Sequence, residues 1–510
     1  MKKNNDKDEL NPKDYPSEPV PIESLSLNFM RHNKILPIDI DDGCLEIATA
    51  DFGNPHLNEA ISYATGKKII FRKGKEEDIL DAIERLYGEG ASSMDRIVSQ
   101  IENLEDSTGN EEENIEQLKD KASEAPVIRL VNLIISRAVD SGATDIHFEP
   151  FENKFVIRYR IDGVLQDVES PPKRLQRAII SRVKIISKLN IAERRLPQDG
   201  RLKLRVLGKE IDFRISTIPT QFGESLVMRI LDQSKLLLDL EQLGFPSDTF
   251  ETFKKMLHTP YGLILVSGPT GSGKTTTLYS ALQRINEPER KIITIEDPVE
   301  YQLHGINQIQ VNYHIGLKFA SGLRSIVRQD PDVILVGEIR DTETAEIAIQ
   351  SALTGHLVFS TLHTNDAAGS ITRLLEMGVE DYLLASSLVG VMSQRLVRVL
   401  CPFCKEKTEI GIEFYHEMGL DQEKAKEISV FKSVGCEECR GTGFKGRTGI
   451  YELMLISEKI RELILSRRSS SQIKKVALEE GMRTLREDGW SKVKQGITTV
   501  PEVLRVTMVE

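Results

Sequence analysis

One short stretch of the chain carries residues suited to holding a phosphate group. Gly268, Gly273, Lys274 and Thr275 follow the spacing of a phosphate-binding loop, and an apolar run, Leu263–Val266, precedes them as a predicted buried strand. Glycines let consecutive backbone N–H groups turn toward a phosphate without a Cβ atom in the way. The lysine is suited to contact the β- and γ-phosphates, and the threonine hydroxyl to bind Mg²⁺. The pattern predicts a site for ATP with Mg²⁺.

The whole loop is expected to contact the nucleotide. Its residues are Gly268, Pro269, Thr270, Gly271, Ser272, Gly273, Lys274, Thr275 and Thr276. A helix is predicted after the loop because apolar residues recur at Leu278, Leu282 and Ile285, and its N-terminus adds a positive dipole end. The alternative is a glycine turn that merely precedes a helix. The complete strand–loop–helix context counts against that alternative.

Polar side chains also follow three other predicted strands, Ile292–Ile295, Val333–Val336 and Leu357–Ser360. They are Glu296, Asp297, Glu300, Glu338, Arg340 and His363. Helical patterns separate these strands, so we expect a parallel, three-layered sheet with its ligands at the carboxyl ends. Carboxylates there can orient a water molecule and the Mg²⁺ shell, and a histidine can contact the γ-phosphate. Gly337 stands where an Asp is common in such sites, and the acidic cluster at 296–300 could supply that carboxylate. Helix capping is the alternative role of these residues.

A stretch of period-two patterns precedes this region and predicts antiparallel strands with one polar face. Six arginines lie on or beside these strands. They are Arg158, Arg160, Arg201, Arg205, Arg214 and Arg229. One interpretation is a solvated strand face. The other is that arginines outside the loop contact the anionic nucleotide.

Four of the five cysteines form two close pairs, Cys401 with Cys404 and Cys436 with Cys439. Paired CxxC thiolates are typical of a tetrahedral structural zinc site. The gap between the pairs exceeds the roughly 15–20 residues of a common zinc ribbon, which predicts a helical insertion within it. Disulfides are not expected in a reducing cytosol. The remaining Cys44 is predicted to be a core thiol.

Composition limits the class of protein. The 510-residue chain has 67 basic and 78 acidic residues, a net charge of −11, which argues against a generally basic nucleic-acid binder. No apolar run approaches the roughly 18–20 residues that span a bilayer, and the first residues lack the apolar core of a signal peptide. We therefore expect a cytoplasmic protein that meets the membrane through partners.

The patterns divide the chain into successive segments. These are a flexible arm (1–21), a small α/β docking domain (22–88), an acidic linker (89–125), an arginine-bearing antiparallel domain (126–232), the nucleotide domain (244–395), a tetracysteine zinc element (396–450) and a C-terminal helical region (451–510). The docking role of the first domain is inferred by elimination, because it has no nucleophile–base pair and no metal cluster.

Five stretches resemble the family of type II secretion and type IV pilus assembly ATPases. They are Gly268–Thr277 (Walker A box), Ile293–Tyr301 (Asp box), Ile334–Asp341 (an atypical Walker B box in which glycine is usual), Thr354–Asp366 (His box) and Gly142–Pro150 (start of the second N-terminal domain). The resemblance covers about residues 126–510. It implies a multidomain α/β protein with a RecA-like P-loop ATPase core, an α+β (PAS-like) middle domain, a small α/β N-terminal domain and a zinc-bearing C-terminal insertion.

The resemblance also implies roles for individual residues. Glu300 would position the attacking water, Glu338 would support Mg²⁺, and His363 would lie near the γ-phosphate. Several arginines would serve nucleotide sites or subunit interfaces: Arg214, Arg229, Arg324, Arg328 and Arg340. The implied assembly is a cytoplasmic homo-hexamer, peripheral at the inner membrane and bound to the platform proteins of a secretion or pilus machine.

Several alternatives stay open at this stage. The short N-terminal region favours type II secretion over pilus extension, and residues 1–90 lack the Arg-Leu-Gly motif that begins the cyclic-di-GMP site of many pilus ATPases. A nucleic-acid motor with a RecA-like core is disfavoured by the acidic balance and by the lack of an aromatic–basic stripe. A non-hydrolysing scaffold is disfavoured because Lys274, Thr275, Glu300 and Glu338 are all present.

Overall fold

The structure is a computed structural model that describes residues 27–41, 43–50, 55–87, 125–231, 239–409 and 429–508, with isolated positions at 10, 15–16, 20, 22, 25, 411 and 414. Most of the expected arm (1–21), of the expected linker (89–125) and of the insertion between the cysteine pairs lies outside the described residues. Among the described residues, no helix combines the length and the apolar composition needed to cross a bilayer.

The first domain is a three-stranded sheet covered by helices. Its elements are Leu27–Asn33 (α1), Ile35–Ile40 (β1), Cys44–Thr49 (β2), Pro55–Thr65 (α2), Lys68–Lys73 (β3) and Glu76–Tyr87 (α3). Strand β2 pairs antiparallel with β1 and parallel with β3. The expected small α/β domain is present here, and the sheet and helices enclose their own apolar core around Ile35, Leu45 and Ile61.

The second domain is a six-stranded antiparallel sheet with two helices. Its elements are Ala125–Asp140 (α4), Asp145–Pro150 (β4), Phe155–Ile161 (β5), Val164–Glu169 (β6), Gln176–Ile186 (α5), Gln198–Val206 (β7), Lys209–Thr220 (β8) and Gly223–Leu231 (β9). The strand order is β6-β5-β4-β9-β8-β7. On β8 the buried residues Ile211, Phe213 and Ile215 join the domain core. Because side chains alternate along a strand, the residues between them face the other side of the sheet.

The third domain holds a seven-stranded sheet. Its strands are Gly262–Ser267 (β10), Ile292–Glu296 (β11), Asn307–Gln310 (β12), Val333–Val336 (β13), Leu357–Leu362 (β14), Leu388–Leu400 (β15) and Phe444–Leu455 (β18). Their order in the sheet is β12-β11-β13-β14-β10-β15-β18. Strands β10 to β15 run parallel, and β18 pairs antiparallel with β15. This confirms the predicted parallel sheet and its four predicted strands.

Helices cover both faces of the parallel strands. They include Ser247–Leu257 (α6), Lys274–Arg284 (α7), Phe319–Ile326 (α8), Thr342–Leu353 (α9), Ala367–Glu376 (α10) and Asp381–Ser387 (α11). Leu263 and Leu265 of β10 belong to one apolar cluster, and Ile264 and Val266 belong to another. Every residue of β10 is buried because both of its faces meet helices, which explains the uninterrupted apolar run in the sequence.

The sheet extends beyond the expected boundaries at residues 395 and 450. Strand β15 continues to Leu400, directly before Cys401, and β18 begins at Phe444, shortly after Cys439. The two cysteine pairs are therefore joined to the nucleotide domain by a strand pair of its own sheet. The short strands Glu406–Thr408 (β16) and Val430–Lys432 (β17) pair beside them.

Four helices close the chain. They are Glu458–Leu465 (α12), Ser470–Glu479 (α13), Leu485–Lys494 (α14) and Val500–Thr507 (α15). The expected helical region is present, and its helices pack against the nucleotide domain. Ile460 of α12 and Ile473 of α13 join the same apolar cluster as β10, and Trp490 of α14 packs with Val397 of β15.

Candidate active site and candidate metal centre

The predicted phosphate loop lies between β10 and α7. Gly268, Gly271 and Gly273 have positive φ angles of 142°, 80° and 87°, a region that L-residues with a Cβ rarely adopt. Space is a second constraint, since a Cβ on Gly268 would lie 2.5 Å from the carbonyl oxygen of Gln394 on β15. The loop can therefore take this path only with glycine at position 268.

The loop has the donors that an anion requires. In the described part of the chain, the buried Ser272 hydroxyl has no hydrogen-bond partner, and no side chain caps the N-terminus of α7. Thr275 is exposed in the first turn of α7. Unpaired N–H groups at a helix N-terminus together with glycine-loop amides fit a phosphate, and the exposed hydroxyl fits Mg²⁺. These features match the predicted site for ATP with Mg²⁺.

Lys274 opens α7 and its ammonium group turns back over the loop. Its Nζ atom donates to the carbonyl oxygens of Gly268, at 2.6 Å, and Pro269, at 3.1 Å. The side chain is only 9% exposed. Burial lowers the pKa of Lys274 to about 8, while the nearby Glu338 carboxylate opposes the shift and the Arg395 guanidinium adds to it. A phosphate at the loop would supply the negative charge that this ammonium lacks.

Glu338, Arg340 and His363 meet at the carboxyl ends of β13 and β14. Glu338 lies 2.7 Å from Arg340 Nη2 and 3.5 Å from His363 Nε2, and its side chain is 12% exposed. Burial lowers the pKa of His363, and the charge of Lys274 lowers it further. The imidazole is thus mostly neutral at pH 7 and can accept or donate a hydrogen bond.

Glu300 of the third domain lies at the interface with the second domain. Arg214 of β8 contacts the Glu300 carboxylate, Nη1 to Oε2, at 3.1 Å, and donates to the Val299 carbonyl oxygen at 2.9 Å. Arg214 reaches this position because strand alternation points it away from the core of its own domain. The segment carrying Glu300 is thus held directly by the second domain.

Arg214 stands in the middle of a row of three arginines. Arg201 and Arg229 are its cross-strand neighbours on β7 and β9. Arg229 pairs with Asp145 of its own domain at 2.9 Å, and Arg201 approaches Gln310 of β12 at 3.4 Å. Like charges on adjacent strands repel one another, so this row suits an anionic partner.

Two further arginines predicted to serve nucleotide sites or subunit interfaces lie on α8 and just after it, and they contact residues outside the phosphate loop. Arg324 pairs with Glu343 of α9 at 2.6 Å, and Arg328 donates to the Arg324 carbonyl oxygen at 2.7 Å. Both are exposed, and these partners are not residues of the phosphate loop. A role at a subunit interface stays a prediction for Arg324 and Arg328.

The acidic cluster at 296–300 divides into buried and accessible members. Glu296 is 4% exposed and is hydrogen-bonded by Thr294, so it is not placed to reach a metal at the loop. Asp297 is exposed and accepts a hydrogen bond from the Tyr313 hydroxyl at 3.0 Å. Of the acids expected to replace the missing Walker B aspartate, Asp297 and Glu300 remain candidates.

Two buried residues of β15 that support the phosphate loop and the His363 segment were not predicted from the sequence. Gln394 of β15 accepts a hydrogen bond from Thr277 at 2.8 Å, and Arg395 donates to Asn365 of the His363 segment at 3.1 Å. Both are buried. The available signal was a polar Ser-Gln-Arg triplet within the otherwise apolar run of β15.

A cleft of about 890 Å³ lies beside the start of α7. Its walls include the end of α4 with the following loop, the turn at Asp162, the residues Gly273, Thr276 and Thr277, and the segment 437–449. Two charge pairs hold the outer walls together, Arg440 with Asp140 at 2.7 Å and Arg447 with Asp162 at 3.6 Å. The cleft is therefore accessible to the rest of a nucleotide whose phosphate binds at the loop.

The four paired cysteines converge as predicted. The ligand atoms of Cys401, Cys404, Cys436 and Cys439 all lie within 4.8 Å of one another, and three Sγ–Sγ distances are 3.9, 3.7 and 3.7 Å. Tetrahedral zinc with Zn–S bonds of about 2.3 Å sets neighbouring sulfurs about 3.8 Å apart. Backbone N–H groups of residues 435, 436 and 443 point at two of the sulfurs, which favours thiolates. The set is compatible with a zinc ion.

A parallel sheet with a glycine loop between its central strand and a helix, and with acidic residues at the neighbouring strand ends, defines a RecA-like P-loop ATPase. The chain belongs to the family described as Type II/IV secretion system protein, whose sequence profile matches residues 120–505. Residues 8–93 match the profile of the MshEN domain.

Two relatives align along nearly the whole chain. The chain is 51% identical over 496 residues to the type II secretion system protein E of Xanthomonas campestris pv. campestris, covering 97% of this chain and 87% of that protein. It is 45% identical over 497 residues to the type IV pilus assembly ATPase PilB of Myxococcus xanthus, covering 97% of this chain and 88% of that protein.

Solved structures share the fold. The structure of the pilus retraction motor PilT with bound ADP is 27% identical with a TM-score of 0.50, covering 74% of this chain and 96% of PilT. The ATPase DotB of Yersinia pseudotuberculosis is 20% identical with a TM-score of 0.57, covering 75% of this chain and 94% of DotB.

The lowered pKa of Lys274 makes nucleotide binding pH-dependent. The protonated amine attracts phosphate, so affinity for ATP should be highest below pH 8 and should fall by up to about tenfold per unit as pH rises above it. Calorimetric titration with ATP between pH 7.5 and 9.5 tests this in a range where phosphate groups, with a pKa of about 6, no longer titrate. Lys274→Arg should bind without this slope because a guanidinium stays charged. A slope of equal size in both proteins would contradict the assignment.

Proposed function

We propose that this ATPase drives pseudopilus assembly and protein export in a type II secretion system. The observation that carries this proposal is the 51% identity to a type II secretion system protein E across 97% of the chain. Extension of a type IV pilus is the second candidate, and the 45% identity to a pilus assembly ATPase supports it. The higher identity to the secretion protein favours secretion.

The proposed chemistry uses the residues gathered at the strand ends. Lys274 and the loop amides would hold the β- and γ-phosphates, and Thr275 with Glu338 would hold Mg²⁺, which neutralises charge on the phosphates when bound. His363, kept neutral, would contact the γ-phosphate. Glu300 would orient the attacking water, and its carboxylate is paired with Arg214.

The cleft beside α7 is the proposed place for the nucleoside. It is lined by Gly273 and Thr276 of the phosphate loop and by Thr277 directly after it. Its outer walls belong to the second domain and to the tetracysteine element, so a bound nucleotide would touch three parts of the chain. This arrangement suits a motor, because binding and release then change contacts between domains.

Arg214 is proposed to close the site during hydrolysis. In the present arrangement its guanidinium pairs with Glu300, and the neighbouring arginines repel it. A triphosphate at the loop would offer a stronger anion and would release the Glu300 carboxylate for the water. Arginines that stabilise transition-state charge contribute about 10³–10⁵ in rate in other phosphoryl-transfer enzymes. The acting assembly is proposed to be a homo-hexamer, peripheral at the cytoplasmic face of the inner membrane through platform partners.

Loss of the loop lysine should abolish hydrolysis. Lys274→Ala removes the cation that faces the phosphates, and we expect ATP turnover to fall by at least roughly 10²–10³-fold. Glu300→Gln should lose turnover to a similar degree while keeping nucleotide affinity, since the amide cannot act as a carboxylate toward the water. Lys255→Ala, at an exposed lysine of α6, is the control. Folded Lys274→Ala protein with wild-type turnover would refute the site.

Arg214 should act within its own chain. Arg214→Ala should reduce turnover strongly, whereas Arg205→Ala on the exposed part of the same sheet should not. A mixture of Arg214→Ala and Lys274→Ala chains tests the geometry in hexamers verified by light scattering. If a neighbouring subunit supplied the arginine, mixed rings would regain activity, because some sites would combine an intact Lys274 with an intact partner arginine. We expect no such gain, because Arg214 contacts Glu300 of the same chain.

One zinc ion per chain is the proposed occupant of the four cysteines. Plasma emission analysis of chelator-washed protein should give one equivalent, and Cys401→Ser with Cys436→Ser should lose it. Structural zinc commonly contributes to folding outright, so this double variant should also melt at lower temperature. Cys44→Ser is the control, as Cys44 lies in the first domain. Unchanged zinc content in the double variant would contradict the site.

A further inference from the structure

A buried acid lies beside the catalytic segment and has no part in the chemistry described above. Glu296 ends β11 and is 4% exposed. Its carboxylate accepts hydrogen bonds from the hydroxyl of Thr294 at 2.5 Å, from Gln308 Nε2 at 3.3 Å and from the hydroxyl of Tyr279. Burial raises the pKa of Glu296, and these hydrogen bonds oppose the shift. A buried carboxyl of this kind is costly unless every partner is in place.

Tyr279 joins this acid to the helix that begins at the phosphate loop. It lies five residues after Lys274 on α7, about 7.5 Å along the helix axis, and is 1% exposed. Its hydroxyl contacts the Glu296 carboxyl and the backbone N–H of Glu300. Burial and the charge of Glu296 raise the pKa of Tyr279, so the hydroxyl stays protonated and donates.

The same cluster holds the segment that carries Glu300. The ring of Tyr279 packs edge-on against Tyr301, with centroids 4.6 Å apart and planes at 73°. Gln308 donates to the Tyr301 carbonyl oxygen at 3.1 Å and accepts from the Leu303 N–H at 2.7 Å. Gln308 also donates to the Tyr279 hydroxyl at 3.4 Å, so Glu296 at the end of β11 and Gln308 on β12, which flank this loop, both contact one tyrosine on α7.

A phenylalanine would fill the same apolar space without burying a hydroxyl and a carboxyl. Tyr279 sits in the cluster of Leu278, Leu282 and Ile285, where packing alone needs no polar atom. Replacing a buried polar pair by apolar residues is often neutral or stabilising in proteins. The hydroxyl is better explained by geometry, because it fixes the distance between two catalytic elements that are far apart in sequence.

We propose that Tyr279 is a positioning residue, which through Glu296 and the backbone of Glu300 holds the water-orienting carboxylate at a set place relative to the phosphate loop. The inference rests on the proposed role of Glu300. Displacement of a catalytic group by about 1 Å is enough to cost roughly 10²-fold in rate. Tyr279→Phe should accordingly lower kcat roughly ten- to hundredfold while leaving the affinity for ATP near that of the unmodified protein.

A double-mutant cycle with Glu300→Gln gives the decisive measurement. If Tyr279 acts through Glu300, Tyr279→Phe should lower kcat in the unmodified protein and should have no further effect in Glu300→Gln protein. A general loss of packing would lower kcat by the same factor in both backgrounds. Fluorescent-nucleotide binding and thermal melting accompany each arm. Tyr159→Phe, which removes a buried hydroxyl that donates to the Ile134 carbonyl oxygen in the second domain, controls for hydroxyl loss as such.

Each result has one meaning. Equal factors in both backgrounds, a matching loss of ATP affinity, or unchanged kcat in Tyr279→Phe would overturn the inference while leaving Glu300 in its role. Full activity of Glu300→Gln alone would overturn the role of Glu300 and this inference with it. If Tyr279→Phe does not fold, Gln308→Ala enters the same cycle. It removes another donor to Glu296 and the hydrogen bond to the Tyr301 carbonyl oxygen, and should show the same dependence on Glu300.

Discussion

The site depends on the close approach of the β15 backbone to the phosphate loop. The loop amides can face an anion only if the chain turns directly over the end of β10, and β15 lies so near that a Cβ on Gly268 would touch the Gln394 carbonyl oxygen. The side chain of Gln394 then fixes Thr277 of α7. Loop, central strand and helix form one rigid unit because the strand behind them leaves no other path.

Other parts of the chain are fastened to this unit. The second domain reaches it through Arg214 and Glu300. The tetracysteine element is an extension of β15 and β18, so a metal there would fix the ends of the same two strands. Strand β18 contributes Glu452, whose buried carboxylate accepts a hydrogen bond from the Ala367 N–H at the start of α10. Contacts remote in sequence thus converge on the residues that follow the parallel strands.

How much of this the sequence predicted depends on how local each signal is. Glycine spacing and uninterrupted apolar runs gave the phosphate loop, four parallel strands and the cysteine cluster, because each follows from a short stretch. The extension of the sheet by β15 and β18 was missed, since a polar Ser-Gln-Arg triplet and the cysteine pairs interrupt those runs. The burial of Glu296 was also missed, since its partners Tyr279 and Gln308 come from other elements. The sequence does not distinguish Arg214 from Arg229. Only their positions in the folded sheet show that Arg214 pairs with Glu300 and that Arg229 pairs with Asp145.

The charged groups of the site can pair in two ways, one without a triphosphate and one with a triphosphate bound. Glu300 pairs with Arg214 and Glu338 pairs with Arg340, so both proposed catalytic acids are already paired with arginines. Lys274 meanwhile rests on loop carbonyls and has a lowered pKa, which means that its positive charge is poorly compensated. A triphosphate would reverse this balance by drawing Lys274 and the arginines to itself and freeing the acids for water and Mg²⁺. Because Arg214 belongs to the second domain and Glu300 to the third, that exchange of partners is also a change in how the two domains hold each other, which is what a nucleotide-driven motor requires.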